Sequence, residues 1–91
     1  MLEVPVSKEE LRELRDIALL SYESEAILDG ATLSDGIPLL KGTWDDFDEL
    51  VGCIAAEANH ETRRKRRRIL DQVWERVEGA LSERQEHGAR T

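Results

Sequence analysis

Residues 30–43, GATLSDGIPLLKGT, decide how this chain of 91 residues is read. Ser34-Asp35-Gly36 carries turn chemistry, and Pro38 interrupts whatever regular element follows it. Leu33, Ile37, Leu39 and Leu40 make the stretch too apolar for a free linker. We read it as an apolar loop that folds over a helix end as a lid on the core, with a short hairpin as a variant. Residues 1–7 are read as an extended arm, since Leu2 to Val6 (LEVPV) alternates around Pro5. With both stretches outside regular structure, the predicted fold class is all-α.

Upstream of the loop, Ser7-Lys8-Glu9-Glu10 is a capping box that starts a helix. The first helix is predicted over 8–29, with Asp29-Gly30 as its stop. At about 100° per residue, Leu11, Leu14, Ile17, Ala18 and Tyr22 share one face. Leu19, Leu20 and Ile27 fall on other sides. A helix apolar nearly all round is buried on more than one side, which places this one at the centre, touching a second subunit.

Downstream, Thr43 is an N-cap, and the acids of Trp44-Asp45-Asp46-Phe47-Asp48 suit a helix start. A helical segment is predicted over 44–84, with 85–91 as a polar tail. It carries two apolar stripes. Trp44, Phe47, Leu50, Val51, Ile54, Ala55 and Ala58 form the first; Ile69, Leu70, Val73, Trp74, Val77, Ala80 and Leu81 form the second. On a continuous helix the stripes are offset by about 100°, which argues for a break at 59–62. Against a break, a new helix there would set cations on its positive end, and Glu61–Lys65 supports continuity. We read one long, bent helix, with the break as the alternative. Helix 1 would cover the first stripe and a partner subunit the second, through Ile69, Val73, Trp74 and Val77.

Charge is divided. Residues 1–62 hold 15 acids and 4 bases, residues 63–91 hold 5 acids and 9 bases, and the whole is −7. The second part opens with six consecutive cations, Arg63, Arg64, Lys65, Arg66, Arg67 and Arg68. Six consecutive helical residues point in every direction, so the block is expected to meet water, acids or phosphate rather than core. Its i,i+4 pairs repel mildly. The anion would be the protein's own acids (Glu61, Asp71, or Asp45 to Glu49 of a symmetry mate), nucleic-acid phosphate or an acidic protein partner. A sequence pI near 4.8 and the lack of aromatics within the run leave only backbone-driven contact with nucleic acid.

Glu57-Ala-Asn-His60 is an E-x-x-H element. It resembles the corresponding piece of ferritin-like proteins, including short two-helix forms that complete a di-iron site by dimerising. The resemblance covers four residues and a two-helix order. It implies a metal-binding alternative in which Glu25 or Glu23 joins Glu57 and His60. The acids from Asp45 to Glu49 are accounted for by the helix start. Cys53, the single cysteine, has no positioned base and cannot form an internal disulfide. No phosphate loop and no Ser/His/Asp set is present.

These readings predict a small helical bundle or hairpin spanning 1–91, completed as a homodimer or higher oligomer. The expected role is non-enzymatic binding or regulation without a cofactor, in the cytoplasm, with Arg63 to Arg68 contacting nucleic acid or an acidic partner. The alternatives are a metal-binding protein, a purely structural oligomerisation module, and an acidic mimic of nucleic acid. The N-terminus has no signal-peptide pattern, and no apolar run approaches the ~20 residues that span a bilayer.

Overall fold

The stretch 30–43 is a β-hairpin, and it makes the fold α+β. The computed structural model describes the backbone of residues 1–89 and side chains through Glu83. Element order is β1 (Leu2–Pro5), α1 (Lys8–Arg15), α2 (Tyr22–Asp29), β2 (Thr32–Ser34), β3 (Ile37–Gly42), α3 (Trp44–His60) and α4 (Arg64–Ala89). The three strands form one antiparallel sheet in the order β1-β3-β2. The all-α expectation is therefore corrected, and both the lid loop and the N-terminal arm supply strands.

Asp35 and Gly36 make the turn, with φ of 53° and 80°. Positive φ at both central residues is the conformation whose twist suits a two-residue hairpin, and Asp-Gly is a favoured pair for it. The prolines fit because of register. Beside a two-residue turn, Ser34–Ile37 is a hydrogen-bonded pair, so the next pair, Leu33–Pro38, is not. The N–H that Pro38 lacks would therefore have pointed away from β2, and no bond of the β2–β3 ladder is lost. Its carbonyl points the same way, toward the β1 side, and accepts from the Val6 N–H at 3.0 Å. By the same alternation Pro5 turns its polar edge outward, where Arg76 donates to its carbonyl at 3.2 Å.

Val4 lies opposite Leu40, both buried. Their face of the sheet meets the helices. On the outer face Glu3 lies opposite Lys41, 3.9 Å apart. Gly42 brings the sheet end close to α2: a Cβ there would stand 3.1 Å from Ile27 Cγ1, so that side chain would have to shift.

The predicted helix over 8–29 is two helices. The capping box at Ser7 forms as expected, with Glu10 N–H to Ser7 Oγ at 3.0 Å and Ser7 N–H to Glu10 Oε1 at 2.8 Å. But α1 ends at Arg15, and Ser21 caps α2 by accepting from the Ser24 N–H at 3.1 Å. The all-round apolar pattern came from joining two short helices that bury different faces: Leu14 and Ile17 on one side of the bend, Ile27 and Leu28 on the other.

The segment read over 44–84 as one long helix, with a break at 59–62 as the alternative, is two helices, α3 and α4, separated at Glu61–Arg63, close to that alternative. They fold back as a hairpin and bury both stripes in the same core. Phe47, Leu50 and Ile54 of α3 meet Leu70, Val73, Val77 and Leu81 of α4, along with Leu14, Ile27 and Leu40. The backbone of α4 continues to Ala89, through residues read as tail; residues 90–91 and side chains from 84 onward lie outside the described residues.

The proposed subunit contacts change accordingly. Ile27, Ile69, Val73 and Val77 are buried within the single chain, and Leu20 and Trp74 are half-buried against its core. Leu19 alone of that set is fully presented to solvent, at 87 % exposure. The second stripe does not need a partner to cover it. No helix among the described residues is long and apolar enough to cross a membrane.

Candidate functional site

The basic run begins α4, and the helix phase divides its members. Taking ~100° per residue, the buried stripe of Ile69, Leu70, Val73 and Val77 extends back by one turn to position 66. Arg66 is accordingly buried, with 6 % of its side chain exposed. The run is expected to meet water, acids or phosphate rather than core; Arg66 meets acids, but on the buried side of α4.

Arg66 is held by acids from two other helices and their ends. Its Nη1 donates to Glu57 Oε2 at 2.9 Å and Glu61 Oε1 at 3.3 Å, and Nη2 donates to the Glu13 carbonyl at 3.4 Å. The Glu13 and Asp16 carboxylates stand 3.6 and 3.9 Å away. Nε faces Glu13 at that 3.6 Å without a hydrogen bond. Burial disfavours the charged guanidinium, but its bonds to Glu57 and Glu61 outweigh that and hold the pKa above its ordinary value. Desolvation likewise pushes the Glu61 carboxyl up, yet Arg63 and Arg66 together hold it below its usual value. This cluster ties α1, α3 and α4 together where the chain turns from α3 into α4.

Two more cations face acids at the surface. Arg63 Nη2 lies 3.0 Å from Glu61 Oε1, and Lys65 Nζ lies 4.0 Å from Glu9 Oε2. The bases are thus partly matched by the protein's own acids, Glu61 among them as the sequence suggested.

Arg64, Arg67 and Arg68 are different. All three are exposed, and no carboxylate among the described residues lies within ion-pair distance of them. They share the α4 face opposite the buried stripe and line one shallow groove with Asp71, Gln72 and Glu75. No acidic residue occupies the first turn of α4, so the positive end of the helix dipole adds to their charge. Because a turn climbs about 5.4 Å, the three guanidinium groups form a compact cationic patch.

Within the single chain the residues of the ferritin-like element are not brought together. Glu57 is engaged by Arg66, Glu25 and His60 are exposed on α2 and α3, and no group of three His, Cys, Asp or Glu among the described residues is placed to hold a metal ion. Glu23 is likewise exposed on α2. Cys53 is a half-buried thiol that accepts from Ser24 Oγ at 3.6 Å and has no base beside it.

Sequence reasoning missed Glu13 and Asp16 as partners of the run. The signal was available: the apolar stripe of α4, carried one turn toward its start, lands on Arg66. It also passed over the continuity of Arg64, Arg67 and Arg68 with Glu75 on one face. Comparison with family models, with curated proteins and with solved structures finds no match.

Proposed function

We propose that this protein is a non-enzymatic binding module whose α4 patch, Arg64, Arg67 and Arg68, contacts the phosphate backbone of a nucleic acid. The observation that carries this reading is the set of three exposed arginines on one helix face with no carboxylate among the described residues within ion-pair distance. Arg66 is committed to the interior, and Arg63 and Lys65 face Glu61 and Glu9. The patch sits at a helix N-terminus, where the dipole favours anions. Arg66 fixes the helix start to α1 and α3, so the outward arginines are presented on an anchored element.

Such contact is independent of base sequence, since the patch holds no group arranged to read base edges and no aromatic to stack on bases. It is also short. Asp71 and Glu75 follow on the same face, so the cationic stretch ends about one turn into the helix and matches about three phosphates.

The test is binding of the full chain to a labelled mixed-sequence duplex across a salt series. Wild type is expected to show a log–log salt slope of about −3, and R64Q/R67Q/R68Q should remove nearly all of it. Lys65→Gln, which changes a residue beside Glu9, should alter the slope less. Absence of duplex binding at low salt rejects nucleic acid as the target.

A further inference from the structure

The groove along the outer face of α4 joins two opposite charges in sequence. Arg64, Arg67 and Arg68 occupy its N-terminal half, and Asp71, Gln72 and Glu75 its C-terminal half. All six are exposed, and none of the five charged members has an ion-pair partner within 4.0 Å among the described residues. They lie diametrically opposite Ile69, Leu70, Val73 and Val77, the stripe that faces the chain's own core.

We propose that this face docks on the same face of a second copy of the chain, in an antiparallel α4–α4 pair related by a two-fold axis. The positions of the charges carry the inference. In an antiparallel helix pair, residues equidistant from the axis on either side come to the same level, because both helices climb by the same rise per residue, and those near the middle of the contact face meet. Arg64 and Glu75, Arg67 and Gln72, and Arg68 and Asp71 are each centred on one point of the helix, midway between Ile69 and Leu70. A two-fold axis at that level therefore sets Arg64 against Glu75 of the second copy and Arg68 against its Asp71, all four near the middle of the face, while Arg67 and Gln72 lie on its two flanks. Symmetry repeats each contact, giving four ion pairs. A parallel pairing in register would set arginine on arginine. The reversed pairing also opposes the two helix dipoles favourably.

Exposed ion pairs are individually weak, so the association is of the transient class, steeper in salt than in temperature and dependent on protein concentration. It uses the arginines assigned above to phosphate. A second copy and a polyanion consequently exclude each other, and that regulatory part rests on the proposed function, while the self-docking does not.

The experiment is sedimentation velocity of the full chain from ~1 µM to ~1 mM at low and high salt, with charge-reversed variants. Wild type should associate at low salt and dissociate at high salt. R64E/R68E and D71R/E75R each set like charges across the axis and should each weaken association at least about tenfold, a change of about 1.4 kcal/mol. Mixing the two variants should restore association, since one face is then acidic and the other basic. Combining all four changes in one chain, R64E/R68E/D71R/E75R, should restore it without mixing, because the symmetric pairs are merely inverted. All six positions are at the surface, and circular dichroism of each variant checks that the fold is kept.

Wild type that stays monomeric at the highest concentration in low salt overturns the proposal. So does association that the single-sign variants leave unchanged, which would move the contact to another surface such as that around Leu19 and Tyr22. The two readings fail separately. D71N/E75Q keeps every arginine, so it should lose self-association and bind the duplex more tightly than wild type. Duplex binding without any self-association rejects only the pairing, and self-association without duplex binding rejects only the nucleic-acid reading.

Discussion

Replacing Arg66 by methionine should destabilise the fold far more than the same change at Arg64, two residues earlier in the same basic run. Methionine keeps much of the aliphatic stem of this buried side chain, which lies on the α4 face of Ile69 and Leu70, so the loss is mainly that of the charge. Arg66 donates to Glu57 at 2.9 Å, to Glu61 at 3.3 Å and to the Glu13 carbonyl at 3.4 Å. Removing one member of a buried charge cluster costs about 3–5 kcal/mol when the others are left desolvated. Here the acids keep partial access to water: Glu57 is 25 % exposed, Glu13 19 % and Asp16 71 %. Glu61 also retains Arg63. Rehydration lowers the expected cost to about 2–3 kcal/mol, a large part of the roughly 5–14 kcal/mol that holds a domain of this size together. At about 4–8 °C per kcal/mol, the melting temperature should fall by roughly 10–20 °C. Arg64→Met should stay within about 0.5 kcal/mol of wild type. Arg66→Lys, which keeps the charge and loses the planar fork, should fall between. Urea denaturation followed by circular dichroism at neutral pH measures all three. Acid adds a second check. The folded-state pKa of Glu61 is depressed below 4.5, so its contribution is present above that pH and is lost as pH falls through the depressed value. The gap between wild type and Arg66→Met should therefore narrow on acidification. A cost at Arg66 no larger than at Arg64, or a gap indifferent to pH, would refute the reading of Arg66 as an electrostatic tie.

Two further perturbations test the frame that holds the site. Gly36 has a φ of 80° and open space where a Cβ would stand, so Gly36→Val should cost about 1–2 kcal/mol through backbone strain alone, and Gly36→Asn distinctly less; denaturation midpoints at constant m-value would show it. Burial raises the Glu10 carboxyl's pKa, but the bonds from Arg76 and Ser7 outweigh burial and hold it below 4.5. Wild type should thus lose stability as pH falls through the depressed value, and Arg76→Met, by removing the guanidinium that donates to Glu10 Oε2 at 3.1 Å, should flatten that acid limb in pH-dependent thermal melts.

Helix caps could be read locally, and sheet formation could not. Ser7 and Thr43 were identified as caps from the residues that follow them, and both make the expected bonds. The strands were hidden because β1 and β3 each contain a proline, β2 is only three residues long, and β1 pairs far along the chain, Leu2–Pro5 with residues 39–42. Whether a proline interrupts a ladder depends on which neighbour its missing N–H would have faced, and that is fixed only once register is known. Asp35-Gly36 was the local signal for a hairpin, outweighed in the reading by Pro38. The break inside the first helical stretch was nearly silent, since Ile17 to Leu20 contains neither glycine nor proline and only Ser21 marks the restart. The second break was visible as a change of phase between two stripes. What weighs against it in sequence, and leaves it the alternative, is the cost of cations at a helix start, a cost that Glu61, Glu57, Glu13 and Asp16 offset in three dimensions.

That offset also explains how an acidic chain accommodates a basic run. Six consecutive residues surround a helix, so any helix that buries one stripe must turn at least one of them inward. The apolar residues of α4 choose which one: Ile69, Leu70, Val73 and Val77 fix the phase, and Arg66 falls on it. A cation in that place requires carboxylates from whatever packs there, and some of the acid excess of the first 62 residues meets that need through α1 and α3. The phase that sends Arg66 inward leaves Arg64, Arg67 and Arg68 outward, where the same face runs on into Asp71 and Glu75. The run therefore has two functions in one turn of helix. Its inward member fixes where α4 begins, and the outward members make a charge pattern whose centre lies on α4 itself. An anion that engages those arginines needs no rearrangement of the fold. Under the proposed pairing it has only to compete with Asp71 and Glu75 of a second chain.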